Sequence, residues 1–376
     1  MKKHILFVLD YYLPHRGGVE TVFEQVFLRL IKKWYKITLL TSRFDQKLAK
    51  YESAHWMSIY RVGCGRLSFM VSAFFKGIAL LYKHKDISVI HASTYGGALP
   101  ASVLWKLFGK KVVLTVHEVF GKLWLFYKGW FSGRGYLLFE KLIFLFSYNV
   151  YHCVSRYTMN SLRLLYGIAD SKLQVIYNGV DNDFWSSDSV SQDALHLWKK
   201  QNDWNGRYVV LYYGHAGKSK WLDTLIDCVP LMIKKDPNIL FVFNIIESKR
   251  RIEILHRLHW LEKIWFSHQI QIFEGMEKED LRTMVAACDV VVAPSFSEWF
   301  GSVHTEAVAM NKPLITTFVA SIPEVVSGKV IFVRPGVSWD ILQGIISFQQ
   351  NQQVWKDLPA KKFDWDVTVD SIEALY

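Results

Sequence analysis

The chain has 376 residues, 51% of them hydrophobic, which is enough for two or three domains with well-buried cores. With only 22 glycines and 9 prolines, disordered and collagen-like classes are excluded. Cys64, Cys153, Cys228 and Cys288 lie far apart and form no C-x-x-C pair, which excludes a disulfide scaffold and a zinc ribbon and suits a reducing compartment. The formal net charge of +11 indicates an anionic partner: nucleic acid, a phosphorylated ligand or a membrane surface.

No targeting or membrane-spanning segment is predicted. The first apolar stretch, residues 4–10, is shorter than the apolar region of a signal peptide and does not end at small residues. The longest apolar stretch, residues 67–81, is interrupted by Lys76 and falls short of the ~18 residues of a membrane span. We therefore expect a cytoplasmic protein.

Short apolar runs alternate with amphipathic helical patterns, which is typical of β-α-β units with parallel sheets. The first unit predicts a strand at 4–10 and a turn at Gly17-Gly18. The helix that follows is predicted to share one apolar face among Val19, Val22, Phe23, Val26, Phe27 and Leu30. Further strands are predicted at 36–41, 88–91, 111–116, 148–154 and 174–176.

The pattern changes near residue 180. Asn178-Gly179 predicts a turn, and the polar stretch 181–205, with four serines, predicts a linker. Beyond it we predict strands at 208–213, 239–244, 270–273, 290–293 and 314–316, with helices from 222, at 279–287 and at 302–310. The result is two α/β domains in tandem. In such folds ligands bind at the carboxyl ends of the strands, and with two sheets we expect the cleft between them.

Gly17 and Gly18 lie between the first strand and the first helix. Without side chains, they let an anion approach the backbone N–H groups and the positive end of the helix dipole. An ordinary tight turn is the alternative interpretation. The sequence is not G-x-G-x-x-G and the chain has no P-loop, so dinucleotide and ATP binding lose support.

A polar pair, His117-Glu118, ends the strand predicted at 111–116. It does not open a zinc-protease motif, because Gly121 stands where the second histidine is required. His117 is interpreted as a hydrogen-bonding residue for a polar substrate, with a satisfied structural histidine as the alternative.

The segment 214–220, Gly-His-Ala-Gly-Lys-Ser-Lys, follows the first strand of the second domain. Lys218 and Lys220 beside two glycines could form a phosphate cradle, because lysine supplies a mobile point charge. A solvated loop is the alternative.

The stretch 294–307, Pro-Ser-Phe-Ser-Glu-Trp-Phe-Gly-Ser-Val-His-Thr-Glu-Ala, is the most informative. It places Glu298 in a loop and Glu306 one turn inside the next helix, for which Ser302 is the predicted N-cap. Free N–H groups at a helix start bind anions, and the two carboxylates can accept hydrogen bonds from hydroxyls. Such a site fits a ligand that carries both phosphate and several hydroxyl groups, and a nucleotide sugar is a ligand of this kind.

This stretch resembles the E-x7-E signature of the retaining glycosyltransferases of family 4. Residues 17–20, 115–118 and 176–181 resemble, in the same order, the Gly-Gly loop, the T-x-H-D segment and the I-x-N-G-V-D hinge of that family. Residues 363–376 resemble its terminal helix, which crosses back to the first domain. The resemblance covers nearly the whole chain.

The resemblance implies a GT-B fold, an α/β architecture of two Rossmann-like parallel-sheet domains facing across a cleft. The acceptor-binding domain would span 1–190, with the helix 364–376 packed on it, and the nucleotide-sugar domain 200–362. It further implies metal-independent, retaining transfer of a hexosyl group from a UDP- or GDP-linked donor to an acceptor hydroxyl, without a cofactor. Two alternatives stay open: a soluble sugar-phosphate synthase of the same fold, and a catalytically weak GT-B scaffold.

The resemblance also assigns roles to residues. Glu298 would contact hydroxyls of the donor sugar, Lys220 the diphosphate, and His117 the sugar near the reacting carbon. Glu306 would bind the ribose. One position departs from the family pattern, because His215 stands where the family usually has arginine. The remaining donor-binding residues would be Gly17, Gly18, His215, Lys218, Met276, Phe300, Gly301, Ser302 and Val303.

Two D-x-D strings, at 181–183 and 364–366, raise the question of a metal. The first lies in the hinge turn and the second opens the last helix, so both are interpreted as turn and capping residues. No metal is predicted.

Residues 61–134 contain eleven basic residues and two acidic ones, with aromatic residues interleaved. This combination is typical of a protein that binds an anionic membrane surface. Nucleic acid is not expected, since no RRM, KH or helix-turn-helix pattern is present. We predict a glycan or lipid-linked acceptor, used in cell-surface glycan or glycolipid synthesis at the inner face of the membrane. Alternatively the aromatics are core and the lysines solvated. The aromatic residues are Phe69, Phe74, Phe75, Trp105, Phe108, Trp124, Phe126, Trp130 and Phe131.

Overall fold

A computed structural model describes residues 3–54, 56–246, 250–264 and 268–376. The chain divides into two compact units: the residues up to Gly179 together with Trp365–Tyr376, and Val180–Asp364. Across the described stretches, every helix is too short or too polar to cross a membrane.

The first unit is built on an eight-stranded sheet. Its strands are β1 (His4–Leu9), β2 (Lys36–Ser42), β3 (Tyr51–Ala54), β4 (Met57–Val62), β5 (Ile87–Ser93), β6 (Lys111–Val116), β7 (Val150–Cys153) and β8 (Leu173–Val175). They lie in the order β3-β4-β2-β1-β5-β6-β7-β8. All neighbours pair in parallel except the edge strand β3, which pairs antiparallel with β4.

Helices cover both faces of this sheet. They are α1 (Gly18–Lys32), α2 (Arg66–Lys83), α3 (Ala98–Phe108), α4 (Leu123–Lys128), α5 (Trp130–Leu145) and α6 (Arg156–Tyr166). The α1 crossover leads from β1 to β2, whereas those of α2 to α6 run the other way across the sheet. Because such crossovers are right-handed, α1 lies on the face opposite to the others. The predicted apolar face of α1 is buried apart from Val19, which is half-buried.

The second unit repeats the plan with a seven-stranded sheet. Its order is β11-β10-β9-β12-β13-β14-β15, parallel except for β15, which pairs antiparallel with β14. The elements in chain order are α7 (Gln192–Gln201), β9 (Tyr208–His215), α8 (Leu222–Lys235), β10 (Ile239–Ile246), α9 (Arg251–Ile264), β11 (Ile270–Phe273), α10 (Lys278–Ala287), β12 (Val290–Ala293), α11 (Ser302–Ala309), β13 (Leu314–Thr317), α12 (Ile322–Val325), β14 (Gly328–Val333), α13 (Ser338–Gln349) and β15 (Lys356–Leu358).

The last helix, α14 (Trp365–Glu373), belongs to the first unit and packs against α1. Trp365, Val369, Ile372 and Tyr376 are buried in the same cluster as the core residues of β1 and α1. The Tyr376 hydroxyl lies 2.6 Å from Nδ1 of the buried His91. The end of the chain is therefore an integral part of the first core.

The predicted linker at 181–205 is wrong. These residues belong to the second unit and contain α7. Two of the four serines in this stretch act as caps, since Ser186 and Ser191 accept hydrogen bonds from the N–H groups of Asp188 and Ala194. Trp204 is fully buried, and its Nε1 donates to Gln271 Oε1 at 2.7 Å. The first unit consequently ends at Gly179 rather than at residue 190.

Gly179 offers a test of how α14 is docked. A Cβ at this position would lie 2.5 Å from the Trp365 ring, so Gly179→Ala must displace the helix or the turn. We expect a loss of about 1–3 kcal/mol in the free energy of unfolding, as for other overpacked sites. Thermal unfolding measures it. Gly135→Ala is the control: a Cβ there meets open space within α5, and the change should be neutral or stabilising. A Gly179→Ala variant as stable as the wild type would contradict this account.

Candidate functional site

In the second unit, Lys220 and Glu298 form an ion pair. Lys220 ends the 3₁₀ turn Lys218–Lys220 that follows β9, and Glu298 lies between β12 and α11. Lys220 Nζ lies 2.5 Å from Glu298 Oε1, and Ser295 Oγ donates to the same oxygen at 2.8 Å. Burial of Glu298 (7% exposed) opposes its ionisation, but Lys220 and His304 outweigh burial and hold its pKa below the usual value. An oriented carboxylate and a lysine thus share one site.

Hydrogen bonds fix the two loops that carry this pair. The Phe296 N–H donates to Ser219 O at 2.7 Å and joins the two loops, and Ser321 Oγ, from the loop between β13 and α12, donates to Glu298 O at 3.0 Å. The rings of Trp221 and Phe296 lie 4.7 Å apart. The sequence analysis did not single out Ser295, Ser321 or Trp221. Their contacts with Glu298 and Phe296 depend on how neighbouring strands pair in the fold.

The start of α11 lies directly after this loop. Ser302 is its first residue, and the N-cap is Gly301, with φ +85° and no side-chain cap. The predicted cap at Ser302 is wrong, because the chain enters the helix through a left-handed residue that favours glycine. The N–H groups of Ser302 and Val303 have no acceptor within the helix and are suited to an anion. Phe300 is buried and packs edge-on against Phe363 at 5.5 Å, which makes its side chain structural.

Glu306 lies on the second turn of α11. Burial raises its pKa to about 7, against the opposing effects of Lys278 and of a hydrogen bond with Tyr213. The Tyr213 hydroxyl also lies 3.1 Å from Val303 O, so it connects the end of β9 with the start of α11. Nothing in the sequence around Tyr213 distinguished it from an ordinary strand residue.

The other donor-binding residues predicted in this unit lie at the same edge of its sheet. His215 ends β9 and follows Gly214, whose φ is +132°. Lys218 opens the 3₁₀ turn, and of the two lysines in that turn it is Lys220 that pairs with Glu298. Met276 is half-buried in the loop between β11 and α10.

In the first unit, His117 directly follows β6. Burial lowers its pKa to about 3, so the ring is neutral. The backbone N–H donates to Thr94 Oγ1 at 3.4 Å, and the ring lies edge-on to Phe23 at 5.8 Å. Its Nε2 is buried and, within the described part of the chain, has no hydrogen-bond partner. A buried nitrogen in this condition is suited to complete its bonding with a ligand.

A carboxyl group of this protein, that of Glu20, lies at the start of α1. Glu20 is buried, with Oε1 3.0 Å from His15 Nδ1, and burial raises its pKa. A Cβ on Gly17 would come 2.6 Å from Glu20 Oε2, whereas a Cβ on Gly18 would meet open space. Gly17 is therefore needed for the close approach of Glu20. Donor binding at Gly17 and Gly18 stays a prediction.

Two more carboxyl groups lie at the carboxyl ends of β1 and β6. Arg66 Nε lies 3.1 Å from Asp10 Oδ2. Burial raises the pKa of Asp10 and raises that of Glu118 to about 7, and Arg66 opposes both shifts. Asp10 and Arg66 were missed by sequence reasoning, because they are 56 residues apart and meet only in the fold. Carboxyl groups near a guanidinium can bind hydroxyl groups by accepting and donating hydrogen bonds.

Neither D-x-D string forms a group of metal ligands in the described residues. Asp181 Oδ1 accepts from the Phe184 N–H at 3.1 Å, as in a turn, and Asp366 pairs with Arg29 at 2.6 Å. A group that could hold a metal lies at the amino ends of β1 and β5, where His4, His84 and Asp86 bring their ligand atoms within 4.8 Å. In this group Asp86 already has a cationic partner, because Lys36 Nζ lies 3.7 Å from its carboxylate.

Comparison with known proteins accounts for both units. Residues 16–184 match the family model described as Glycosyltransferase Family 4, and residues 196–361 match the model described as Glycosyl transferases group 1. The phosphatidylinositol N-acetylglucosaminyltransferase GPI3 subunit of Saccharomyces cerevisiae is 22% identical over 397 residues, which cover 98% of this chain and 82% of the yeast protein.

Solved structures agree on the fold. Sucrose-phosphate synthase from Thermosynechococcus elongatus has a TM-score of 0.80 at 17% identity, covering 100% of this chain and 98% of that one. Anabaena HepE in complex with UDP and glucose has a TM-score of 0.74 at 15% identity, covering 98% of each chain. The predicted GT-B fold, with two Rossmann-like domains, is confirmed. Since the two family models match its two halves in order, the chain belongs to the family 4 glycosyltransferases.

Proposed function

We propose that this glycosyltransferase moves a hexosyl group from a UDP- or GDP-linked donor to an acceptor hydroxyl with retention and without a metal. The observation that carries the proposal is the Lys220–Glu298 pair beside the start of α11. A cation, free N–H groups and a fixed carboxylate together match a diphosphate joined to a sugar. The UDP and glucose bound to HepE support this donor class.

Charge on the diphosphate grows as the bond to the sugar breaks. Lys220 and the N–H groups of Ser302 and Val303 would stabilise that charge, which is where electrostatic catalysis acts most strongly. Glu298 would accept hydrogen bonds from sugar hydroxyls and orient the ring. Glu306 would accept from the ribose. His117 would contact the sugar near the reacting carbon through its neutral Nε2, and the leaving phosphate would take the proton of the acceptor.

The acceptor is proposed to be a glycan or a lipid-linked molecule at an anionic membrane surface. The support is the α4–α5 face, defined by the exposed apolar and basic residues of 122–145. Phe131, Leu138, Leu142 and Leu145 recur at helical spacing on the outer side of α5, with exposures from 42% to 84%. The name of the yeast relative, a phosphatidylinositol N-acetylglucosaminyltransferase subunit, describes transfer to a lipid.

Basic residues accompany this apolar stripe. Lys122, Lys128, Arg134 and Lys141 are exposed, while the segment's one acidic residue, Glu140, is fully buried. Arg134 Cζ lies 3.7 Å from the Trp130 ring centre. Exposed apolar and basic groups without surface acids suit the interface of an anionic bilayer.

The aromatic residues predicted to form the membrane surface divide into two groups. Phe69 and Trp124 are buried in the core, and Phe74, Trp105 and Phe108 are half-buried, as the alternative interpretation expected. The other four lie on α2, α4 and α5 and are exposed. The exposed residues are Phe75, Phe126, Trp130 and Phe131.

The donor itself can be found by a thermal-shift screen of the wild type against UDP-, GDP- and ADP-sugars. A ligand bound only by the native state raises the unfolding temperature by mass action. We expect one nucleotide class to stand out. Stabilisation by none of them, together with no donor hydrolysis, would favour the catalytically weak scaffold. A high rate of transfer to a free sugar phosphate would favour the alternative of a soluble sugar-phosphate synthase. The fold of this chain is similar to that of sucrose-phosphate synthase.

Glu298→Gln keeps the shape of the side chain but removes its charge and leaves Lys220 without its counter-ion. Charge-assisted hydrogen bonds contribute about 1.5–3 kcal/mol each, so turnover should fall at least about tenfold while the protein stays folded. Steady-state kinetics and thermal unfolding together measure this. Asp340→Asn, which breaks the exposed pair of Arg334 and Asp340, is the control and should keep full turnover. Unchanged turnover in Glu298→Gln would remove this residue from the site.

Lys220→Ala should weaken the binding of the nucleoside diphosphate product about tenfold or more, because it removes the cation from the diphosphate site. Calorimetric titration of the product measures this, and Lys218→Ala is the matched control within the same turn. Activity should also survive EDTA. A larger loss in Lys218→Ala, or a strict need for Mn²⁺ or Mg²⁺, would contradict the assignment.

Replacing Lys122, Lys128 and Arg134 together by serine should reduce binding to anionic liposomes and leave donor hydrolysis intact. Each basic residue near an anionic bilayer contributes about 1 kcal/mol, so losing three is expected to release most of the protein. Co-sedimentation measures it, and high salt should have the same effect on the wild type. A control with the same change in charge replaces the exposed residues Lys234, Lys235 and Lys356. A wild type that ignores anionic liposomes at low salt would indicate a soluble acceptor.

A further inference from the structure

The inner side of α5 carries a buried carboxylate with five hydrogen-bond donors. Glu140 is fully buried, and none of these donors is a cation. Oε2 accepts from the Tyr95 hydroxyl at 2.7 Å, Trp124 Nε1 at 2.8 Å and the Phe120 N–H at 3.0 Å, and Oε1 accepts from the Gly121 N–H at 2.7 Å and from the Tyr166 hydroxyl. A carboxylate has about four lone-pair sites, so this one is fully used.

Two of these donors belong to the main chain of the segment 117–121, which follows β6 and begins with His117. The Phe120 and Gly121 N–H groups end on the two different oxygens of Glu140. The Tyr95 hydroxyl, whose hydrogen goes to Glu140, also contacts this segment, since it lies 3.2 Å from Glu118 O. Buried N–H groups need acceptors, and here one side chain from a distant helix supplies both. The conformation of the segment therefore depends on Glu140.

We propose that Glu140 is a positioning residue for glycosyl transfer: it holds the segment 117–121 so that His117 presents Nε2 to the donor sugar. The inference rests on the proposed function, in which His117 contacts that sugar. Displacing a reacting group by about 1 Å can cost on the order of a hundredfold in rate, so a fixed segment has catalytic value. Glu140 acts only through the segment and contacts no substrate.

Glutamine cannot replace this carboxylate. Its amide has one oxygen, and its NH2 group is a donor that would face other donors. With the NH2 group on the Oε1 side, the Gly121 N–H loses its acceptor. With the NH2 group on the Oε2 side, the Phe120 N–H and Trp124 Nε1 lose theirs. Either orientation leaves a main-chain N–H of the segment unpaired, although the volume of the side chain is unchanged.

The test compares Glu140→Gln with Tyr376→Phe in the full chain. Tyr376→Phe removes the buried bond to His91 in the same unit without touching the segment, and so controls for lost stability. At a temperature where both variants are folded, we expect kcat for donor hydrolysis to fall at least about tenfold in Glu140→Gln only. The KM for the donor and the affinity for UDP should stay within about twofold, because the second unit binds the nucleotide. The donor is whichever of UDP-, GDP- or ADP-glucose the wild type hydrolyses fastest, and for a GDP- or ADP-sugar the diphosphate tested changes with it.

Hydrogen exchange gives a readout that does not need activity. Amides of a peptide covering 117–124 should exchange at least about tenfold faster in Glu140→Gln than in Tyr376→Phe, because the segment opens locally. Equal exchange, or an equal loss of kcat in the two variants, would overturn the inference. If the wild type neither binds nucleotides nor hydrolyses any donor, the proposed function fails. The exchange experiment then still decides whether Glu140 holds the segment.

A second pair of variants covers the case in which Glu140→Gln does not fold. Tyr95→Phe and Tyr166→Phe each remove one hydroxyl from Glu140, but only Tyr95 also contacts Glu118 O. We expect kcat to fall more than about fivefold in Tyr95→Phe and less than about twofold in Tyr166→Phe. Equal values would show that the cluster contributes packing alone.

Discussion

Parallel strand pairing is the constraint on which both units depend. It requires helical crossovers, which cover the two faces of each sheet and leave the strand ends as the place where polar groups can meet a ligand. His117 follows β6, Lys220 follows β9 and Glu298 follows β12, so each lies at the carboxyl edge of its own sheet. The two antiparallel strands, β3 and β15, are both at sheet edges and do not interrupt this arrangement.

The acidic residues at and near these edges differ because their partners differ. Glu298 has Lys220 within 2.5 Å, and its pKa stays low in spite of burial. Glu306 and Glu118 have weaker opposing partners, and burial raises their pKa values to about 7. Glu140 accepts from five neutral donors instead. The same residue type is thus held for different tasks by the charges and donors around it.

The two sides of helix α5 carry different groups. Its outer side exposes Phe131, Leu138 and Leu145 among basic residues, and its inner side places Glu140 against the segment after β6. A helix with apolar residues outside and a buried carboxylate inside has a low amphipathic contrast, so periodicity alone does not show which side faces the core. In the proposed function one helix would both meet the membrane and hold the segment that carries His117.

Local patterns in the sequence determined most of the elements and part of the site. The 3- and 4-residue spacing predicted α1, short β-branched runs predicted most strands within about two residues, and the E-x7-E spacing brought Glu298 and Glu306 to attention. These patterns involve residues that are close together in the sequence, and at that range the sequence determines the local structure directly. The carboxyl-edge location of His117 and Lys220 followed from the same βαβ pattern.

Only the tertiary structure decided the rest, because it depends on residues that are distant in sequence. Ser186 and Ser191, in the predicted linker 181–205, cap helices, and Trp204 in the same stretch is buried and bonded to Gln271 of β11. The N-cap of α11 is Gly301 rather than the predicted Ser302, because the left-handed backbone conformation there favours glycine over serine. Glu140 meets Gly121 across 19 residues, and Asp10 meets Arg66 across 56, through packing that no local pattern encodes.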